Sequence, residues 1–200
     1  MKLFFKILLI ITLLFINKAL AQDIANKNTM VQNFVQDFGD KIISIANDKK
    51  NKDSQKKQQI INLIDQNIDA NWIAKFVLGS HYRNTTEAQK EQFFSLYRKF
   101  MINTYAPKFN SYNGKKFIVN NISKQSSFFL VKAQFYPKDN PNPINLDFRV
   151  KEQNNKLVIV DFIAEGISLL ETQRSEFDSA IKNTGIEQFL LDLNSKINTN

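Results

Sequence analysis

The chain of 200 residues contains no cysteine and a single histidine, His81. Without a thiol, the protein forms no disulfide and has no cysteine nucleophile. One imidazole also leaves catalytic triads and zinc sites without their usual side chains. Glycine and proline number only five and four, and neither a phosphate-binding loop nor a dinucleotide-binding glycine motif occurs. These absences predict a protein that is not an enzyme, with no catalytic residues, no metal site and no cofactor.

Two carboxylates leave one enzymatic alternative open. Asp161 and Glu165 could in principle act as an acid–base pair, but four residues along a strand place them roughly 13 Å apart. We expect Asp161 to be hydrogen-bonded or ion-paired, and Glu165 to hold a turn. An enzyme with a carboxylate base in an apolar cone, and a module that binds a peptide in an apolar groove, remain alternatives.

The N-terminus has the pattern of a secretory signal. Residues 7–16 are apolar except for Thr12, lysines precede them, and Ala19-Leu20-Ala21 matches a signal-peptidase site. A run of ten residues is too short to cross a bilayer as a helix. We predict a signal peptide over residues 1–21 and one soluble domain over residues 22–200. Cleavage would remove three lysines and lower the formal net charge from +8 to +5.

Hydrophobic spacing divides the rest of the chain into helices and strands. Apolar residues recur at helical spacing over 30–46, 60–64, 72–77 and 93–104, and Gly79 and Gly185 are expected to end helices. Thr86 and Gln89 fit a capping box at the start of the fourth of these helices. A period of two then predicts four strands at 115–122, 128–135, 144–150 and 157–163. Their short connections favour an antiparallel meander. The predicted class is α+β, with a four-stranded curved antiparallel sheet packed against N-terminal and C-terminal helices.

The most specific pattern lies in residues 157–193. An apolar strand with Asp161 leads into Glu165-Gly166, and a predicted helix opens at Ile167-Ser168-Leu169-Leu170. Arg174 and Phe177 follow on that helix, which Gly185 is expected to end. Upstream motifs stand in a fixed order: Leu78-Gly79, His81-Tyr82-Arg83, Thr85-Thr86-Glu87-Ala88-Gln89, Thr104-Tyr105-Ala106 and Tyr112.

Together these motifs resemble the MlaC family, also called the toluene-tolerance family of periplasmic phospholipid-binding proteins, over residues 30–193. The chain departs from the family pattern at Tyr82, where Trp is usual, and at Gln173, where an aromatic residue often precedes the arginine. The resemblance implies a periplasmic, non-enzymatic carrier that moves phospholipid between the two membranes of a diderm bacterium. Its partners would be an inner-membrane ABC transporter complex with an MCE-domain subunit and an outer-membrane lipoprotein complex.

The resemblance also implies that acyl chains lie in an apolar pocket between sheet and helices, with the head group toward solvent. Bound phospholipid is then cargo and not a cofactor. Strand alternation and the long helix nominate the residues that line this lipid-binding pocket: Phe100, Tyr105, Val119, Phe129, Val131, Ala133, Phe135, Leu146, Phe148, Val160 and Phe162.

The basic residues are less informative. Arg174 has two open roles, a local ion pair with Glu171 or Asp178 and direct contact with a lipid phosphate, and Arg83 shares this ambiguity between a structural and a head-group role. The lysines show no aromatic interleaving in one strip of sequence, so we interpret them as a solvated surface and expect no nucleic-acid partner.

Overall fold

The computed structural model describes the backbone of residues 2–110 and 114–198, and the side chains of residues 22, 24–106 and 114–198. The elements in chain order are α1 (Lys2–Asn47), α2 (Asp53–Asn67), α3 (Ala70–Leu78), a 3₁₀ helix (Gly79–Arg83), α4 (Glu87–Asn110), β1 (Gly114–Gln125), β2 (Phe128–Pro137), β3 (Ile144–Gln153), β4 (Lys156–Ala164), β5 (Ile167–Ser168) and α5 (Leu169–Asn198). This order confirms the predicted α+β class.

Two sequence-based predictions fall outside the described residues. The signal peptide stays a prediction, because the side chains of residues 1–21 are not among those described. Tyr112, which belongs to the upstream motifs, also lies outside them. Within the part that the structure describes, we find no helix with the length and apolar character needed to span a membrane.

The strands form one antiparallel meander in the order β1-β2-β3-β4-β5. Asn154 and Asn155 join β3 to β4 with φ values of 50° and 59°, the left-handed conformation that hairpin turns require and asparagine tolerates. In β2 and β3, buried residues alternate with more exposed ones. One face of the sheet is therefore apolar, as the period of two predicts.

Strand β5 corrects the prediction of four strands. Glu165 and Gly166 have φ values of 48° and 81°, and this left-handed pair turns the chain back after β4. Ile167 and Ser168 then pair with the end of β4 instead of opening a helix, so that α5 begins at Leu169. Two residues are too few to display a strand period, which is why the pattern did not reveal this strand.

Predicted helix ends at three positions are confirmed. Gly79 caps α3 with a φ of 57°, and Gly185 interrupts α5 with a φ of 77°. Thr86 and Gln89 form the predicted capping box before α4, because each side chain accepts a hydrogen bond from the other residue's backbone N–H, at 3.0 and 3.3 Å.

Two apolar cores stabilise the fold. The first lies between α1, α2 and the apolar face of the sheet, and the second lies among α3, α4 and α5. At the centre of the second core, the Phe93 ring contacts those of Tyr97, Phe177 and Phe189, with centroids 5.6, 6.2 and 6.1 Å away. Ile68, which follows α2, packs against both cores. The later helices thus form a layer with a core of its own.

A buried carboxylate joins α5 to the sheet. Asp161 Oδ1 accepts hydrogen bonds from the backbone N–H of Phe162 at 2.8 Å and of Leu170 at 3.1 Å. Its Oδ2 accepts from Ser168 Oγ at 2.7 Å and from Arg149 Nη1 at 2.9 Å. Burial raises the pKa of Asp161, although these hydrogen bonds and the Arg149 charge act to lower it. The interpretation of Asp161 as a hydrogen-bonded structural residue is confirmed.

Replacing Asp161 tests this connection. Asp161→Ala should lower the free energy of unfolding by about 3–5 kcal/mol, because it leaves the Ser168 hydroxyl and two backbone donors without their acceptor, at about 1–3 kcal/mol for each buried group. Arg149 keeps its second ion pair, with Glu171. Asp161→Asn should cost less, since the amide keeps the size of the side chain and one acceptor oxygen. Urea denaturation followed by circular dichroism measures both values. Equal losses for the two variants would show that the acceptor geometry does not matter.

Candidate functional site

A cavity of about 400 Å³ lies between the sheet and the helices. Its walls come from α1, α2, α4, β3, β4, β5 and α5, and almost all of them are hydrocarbon or aromatic ring. The lining residues are Phe38, Ile64, Ile68, Met101, Tyr105, Phe148, Ile159, Phe162, Ala164, Ile167, Leu169 and Thr172. A space of this volume and character can take up an apolar ligand, for which pockets of about 300–1,000 Å³ are usual.

Two smaller cavities adjoin the large one. One of about 40 Å³ lies toward Tyr97 and Gln173, and one of about 30 Å³ lies toward Phe117 and Phe135. Phe162 borders all three spaces. Rotation of this one ring would therefore change how much of the space between sheet and helices is continuous.

Strand pairing explains why these rings stand together. Phe148 on β3 pairs with Phe162 on β4, and their rings meet edge to face with centroids 5.1 Å apart. A register shift between Arg149 and Val150 makes Ile159 the partner of Val150. This bulge adds one residue to β4, so Ile159 and Phe162 both border the cavity although three positions separate them.

Hydrogen-bonded polar side chains stand behind the cavity wall. The Tyr97 hydroxyl bonds to Gln173 Oε1, and Gln173 Nε2 donates to the Tyr105 hydroxyl at 2.9 Å. Burial raises the pKa of both tyrosines, so both are neutral at physiological pH. Tyr105 borders the cavity. Gln173 therefore fixes a hydroxyl group at the edge of a largely apolar space.

The turn between β4 and β5 lies at one edge of the cavity. Ile167 borders the cavity and is nevertheless 68% exposed. Glu165 Oε1 accepts a hydrogen bond from the backbone N–H of Asn145 at 2.7 Å, which attaches the turn to β3. Glu165 therefore holds the turn, as expected from the sequence, and Ile167 marks a side on which the cavity approaches solvent.

The predicted lining residues fall into four groups. Tyr105, Phe148 and Phe162 border the large cavity. Val160 borders the small cavity near Gln173, and Phe135 and Leu146 border the other one. The first core contains the remaining strand residues, Val119, Phe129, Val131 and Ala133. Phe100 packs in the second core beside Tyr97 and Phe177.

Sequence reasoning missed most of the helical wall. The sequence places Ile64 and Met101 only on apolar helical faces, and Ile167 and Leu169 only at the start of a helix. Ile68 was identifiable only as an apolar residue between two predicted helices. Nothing in the periodicity indicates that it reaches the sheet, where it forms an isolated bridge with Ile159.

Arg174 has neither of its expected ion pairs. Glu171 pairs instead with Arg149 at 2.8 Å, and Asp178 pairs with Lys182 at 2.6 Å and contacts His81 at 2.8 Å. The Arg174 guanidinium lies over the Phe76 ring, 4.6 Å from its centroid. Of the two roles left open by the sequence, the local ion pair is therefore not formed, because Arg149 and Lys182 pair with its two candidate partners.

Neither a metal site nor a free catalytic carboxylate emerges from the described residues. They contain no group of His, Asp or Glu side chains arranged to hold an ion. Asp161 borders the cavity of about 40 Å³, but four donors occupy its carboxylate, which has about four lone-pair sites. Arg83, at the end of the 3₁₀ helix, is exposed.

Comparison with known proteins agrees with this architecture. A family model described as MlaC protein matches residues 36–195. The intermembrane phospholipid transport system binding protein MlaC of Haemophilus influenzae is 21% identical over 164 residues, which cover 78% of this chain and 77% of that protein. A phospholipid-binding protein from Ralstonia solanacearum, solved in complex with a phospholipid, has a similar fold at a TM-score of 0.68 and 22% identity, over 83% of this chain and 97% of the other. The family model spans most of the sequence, and the chain therefore belongs to the MlaC family.

Proposed function

We propose that this protein carries phospholipid through the periplasm, with acyl chains in the cavity between sheet and helices. The cavity of about 400 Å³ with its apolar walls is the observation that carries the proposal. The names of the Haemophilus and Ralstonia proteins, a phospholipid transport binding protein and a phospholipid-binding protein, support it. The exchange partners would be an inner-membrane ABC transporter complex with an MCE-domain subunit and an outer-membrane lipoprotein complex.

Hydrophobic free energy explains why such a carrier needs an enclosed cavity. Each buried CH₂ contributes about 0.8 kcal/mol, so a lipid with two long chains is held in a bilayer by roughly 20 kcal/mol or more. An open groove would bury too little of that surface. An apolar cavity brings the free energy of transferring the lipid from membrane to protein close to zero. A carrier needs a value close to zero because it must both load and unload its lipid.

Copurification tests the proposal directly. We expect native mass spectrometry of the protein purified from the periplasm to show an added mass, and solvent extraction to release a phospholipid of that mass. An added mass that proves to be a peptide would support an interaction module instead. A protein without bound lipid, which also takes up none from vesicles, would contradict the proposal.

Filling part of the cavity should weaken lipid binding without unfolding the protein. Ala164 borders the cavity, and Ala164→Trp places an indole in open space, so the usual overpacking cost of about 1–3 kcal/mol should be small. Copurified phospholipid should fall severalfold. The matched control is Lys132→Trp, which adds the same ring at an exposed position on β2. Lipid loss in both variants, or in neither, would contradict the assignment of the cavity.

Removal of lipid should destabilise the protein. An empty apolar cavity of about 400 Å³ would cost on the order of 10 kcal/mol at about 24 cal/mol per Å³, and partial collapse of the walls reduces that cost. We therefore expect a loss of several kcal/mol, visible as a lower midpoint of thermal unfolding after delipidation. Adding phospholipid vesicles should restore the midpoint. An unchanged midpoint would mean that the cavity does not hold the lipid.

A further inference from the structure

Three cations lie over aromatic rings on the side of the molecule formed by α3, the 3₁₀ helix, β3 and α5. Lys151 Nζ is 5.1 Å from the centroid of the Trp72 ring, Lys75 Nζ is 4.7 Å from that of Tyr82, and the Arg174 guanidinium carbon is 4.6 Å from that of Phe76. We call these six residues the cation–aromatic surface. The lysines show no aromatic interleaving in one strip of sequence because the members of this surface come from four separate elements.

Two of the three rings of this surface stack on each other, and the third, Tyr82, stacks on Phe94 with centroids 6.5 Å apart. Trp72 and Phe76, one helical turn apart on α3, stack with centroids 5.4 Å apart and an interplanar angle of 20°. Lys75 stands between them in sequence and reaches Tyr82. All three rings are half-buried, so part of each faces solvent. Their arrangement fixes where the cations stand.

Gly79 gives Arg174 its position. A Cβ at residue 79 would lie 3.2 Å from Arg174 Nε and 3.3 Å from Nη2, closer than side chains normally approach. The helix end requires glycine at residue 79 because its φ is 57°. The same glycine leaves room for the guanidinium beside Phe76. A cation held by a ring keeps its N–H donors available, because the ring contacts the face of the cation without accepting all of its hydrogen bonds.

The positive charge of this surface is not neutralised by carboxylates. Among the described residues, Lys75, Lys151 and Arg174 form no ion pair. The neighbouring Glu152 pairs with Lys27, at 3.2 Å. Glu171, three positions before Arg174, pairs with Arg149.

A fourth cation, Lys90, also lies over Tyr82, at 4.4 Å from the ring centroid, but it pairs with Glu87 at 2.7 Å. It therefore adds no net charge to the surface. Lys75 and Arg174 are exposed, whereas Lys90 is largely buried. The surface thus offers an anion three charges and their unused donors.

We propose that the cation–aromatic surface docks the protein on the anionic head groups of a phospholipid bilayer. Tryptophan and tyrosine with lysine and arginine beside them are typical of residues at the membrane–water interface, where the rings enter the head-group layer and the cations meet phosphates. Aromatic residues and arginine are enriched in protein–protein interfaces as well, but lysine is depleted there, whereas each lysine near an anionic bilayer strengthens binding about fivefold. The two unpaired lysines therefore favour the bilayer over an acidic protein.

Trp72 makes docking directly observable, because it is the only tryptophan in the chain. On adding phosphatidylcholine vesicles that contain phosphatidylglycerol, its emission should shift to the blue and be quenched by brominated acyl chains. Phosphatidylcholine alone should give a much smaller effect, and raising the salt concentration should reverse the shift. Docking does not require a filled cavity. The fluorescence of Trp72 therefore tests this inference, and lipid extraction on the same samples tests the proposed function separately.

The triple variant Lys75→Gln, Lys151→Gln, Arg174→Gln should bind these vesicles roughly 100-fold more weakly, at about fivefold per cation. The matched control Lys49→Gln, Lys50→Gln, Lys57→Gln removes the same charge from exposed positions around the α1–α2 connection and should bind as before. Both variants should remain folded and keep their copurified lipid, and the triple variant should melt at a slightly lower temperature than the control because it loses three cation–aromatic contacts. Equal weakening of vesicle binding in the two variants would show that only the net charge of the protein matters, and would contradict the inference. If the unmodified protein does not bind vesicles, the inference is overturned in favour of an acidic protein partner.

Discussion

The buried charge of Asp161 constrains the arrangement around the cavity. Its side chain is out of contact with solvent, and a charge in that position costs several kcal/mol unless donors surround it. The donors come from β3, β4, β5 and the first turn of α5. Satisfying one carboxylate thus fixes where α5 starts relative to the sheet. Leu169 and Thr172, in the first turn of that helix, consequently stand at the cavity wall.

Collapse of the helical wall onto the sheet would fill the cavity but would disrupt contacts that the wall already makes. The layer of α3, α4 and α5 already buries its large rings in a core of its own, around Phe93 and Phe177. Gln173 and the two tyrosines that it joins would have to break hydrogen bonds to move inward. Leaving a buried amide or hydroxyl without a partner costs about 1–3 kcal/mol for each group. Apolar contact favours closure, and this polar network opposes it.

Local rules predicted the elements well, and the site less well. The caps at Gly79 and Thr86 follow from short-range backbone chemistry, and the alternation in β2 and β3 follows from burial of one face. The bulge beside Ile159 and the pairing of β5 depend on contacts with other strands, so no local period encodes them. Among the predicted lining residues, Phe148 and Val131 have the same alternating signal and pair with each other across the strands. Only the packing of the helices places Phe148 at the cavity.

Gln173 and Arg174 show how one helix can serve two kinds of interaction. Neighbouring residues on a helix point about 100° apart, so Gln173 contacts the buried hydroxyls while Arg174 reaches the surface ring of Phe76. Burial of acyl chains is non-directional and responds little to salt, whereas attraction between exposed charges is screened over about 8 Å at physiological ionic strength. Retention of cargo and contact with a charged surface therefore depend on different physical terms. A substitution on the outer face of α5 can change the second term and leave the first intact, which is the separation that a carrier needs if it is to approach a membrane without losing its load.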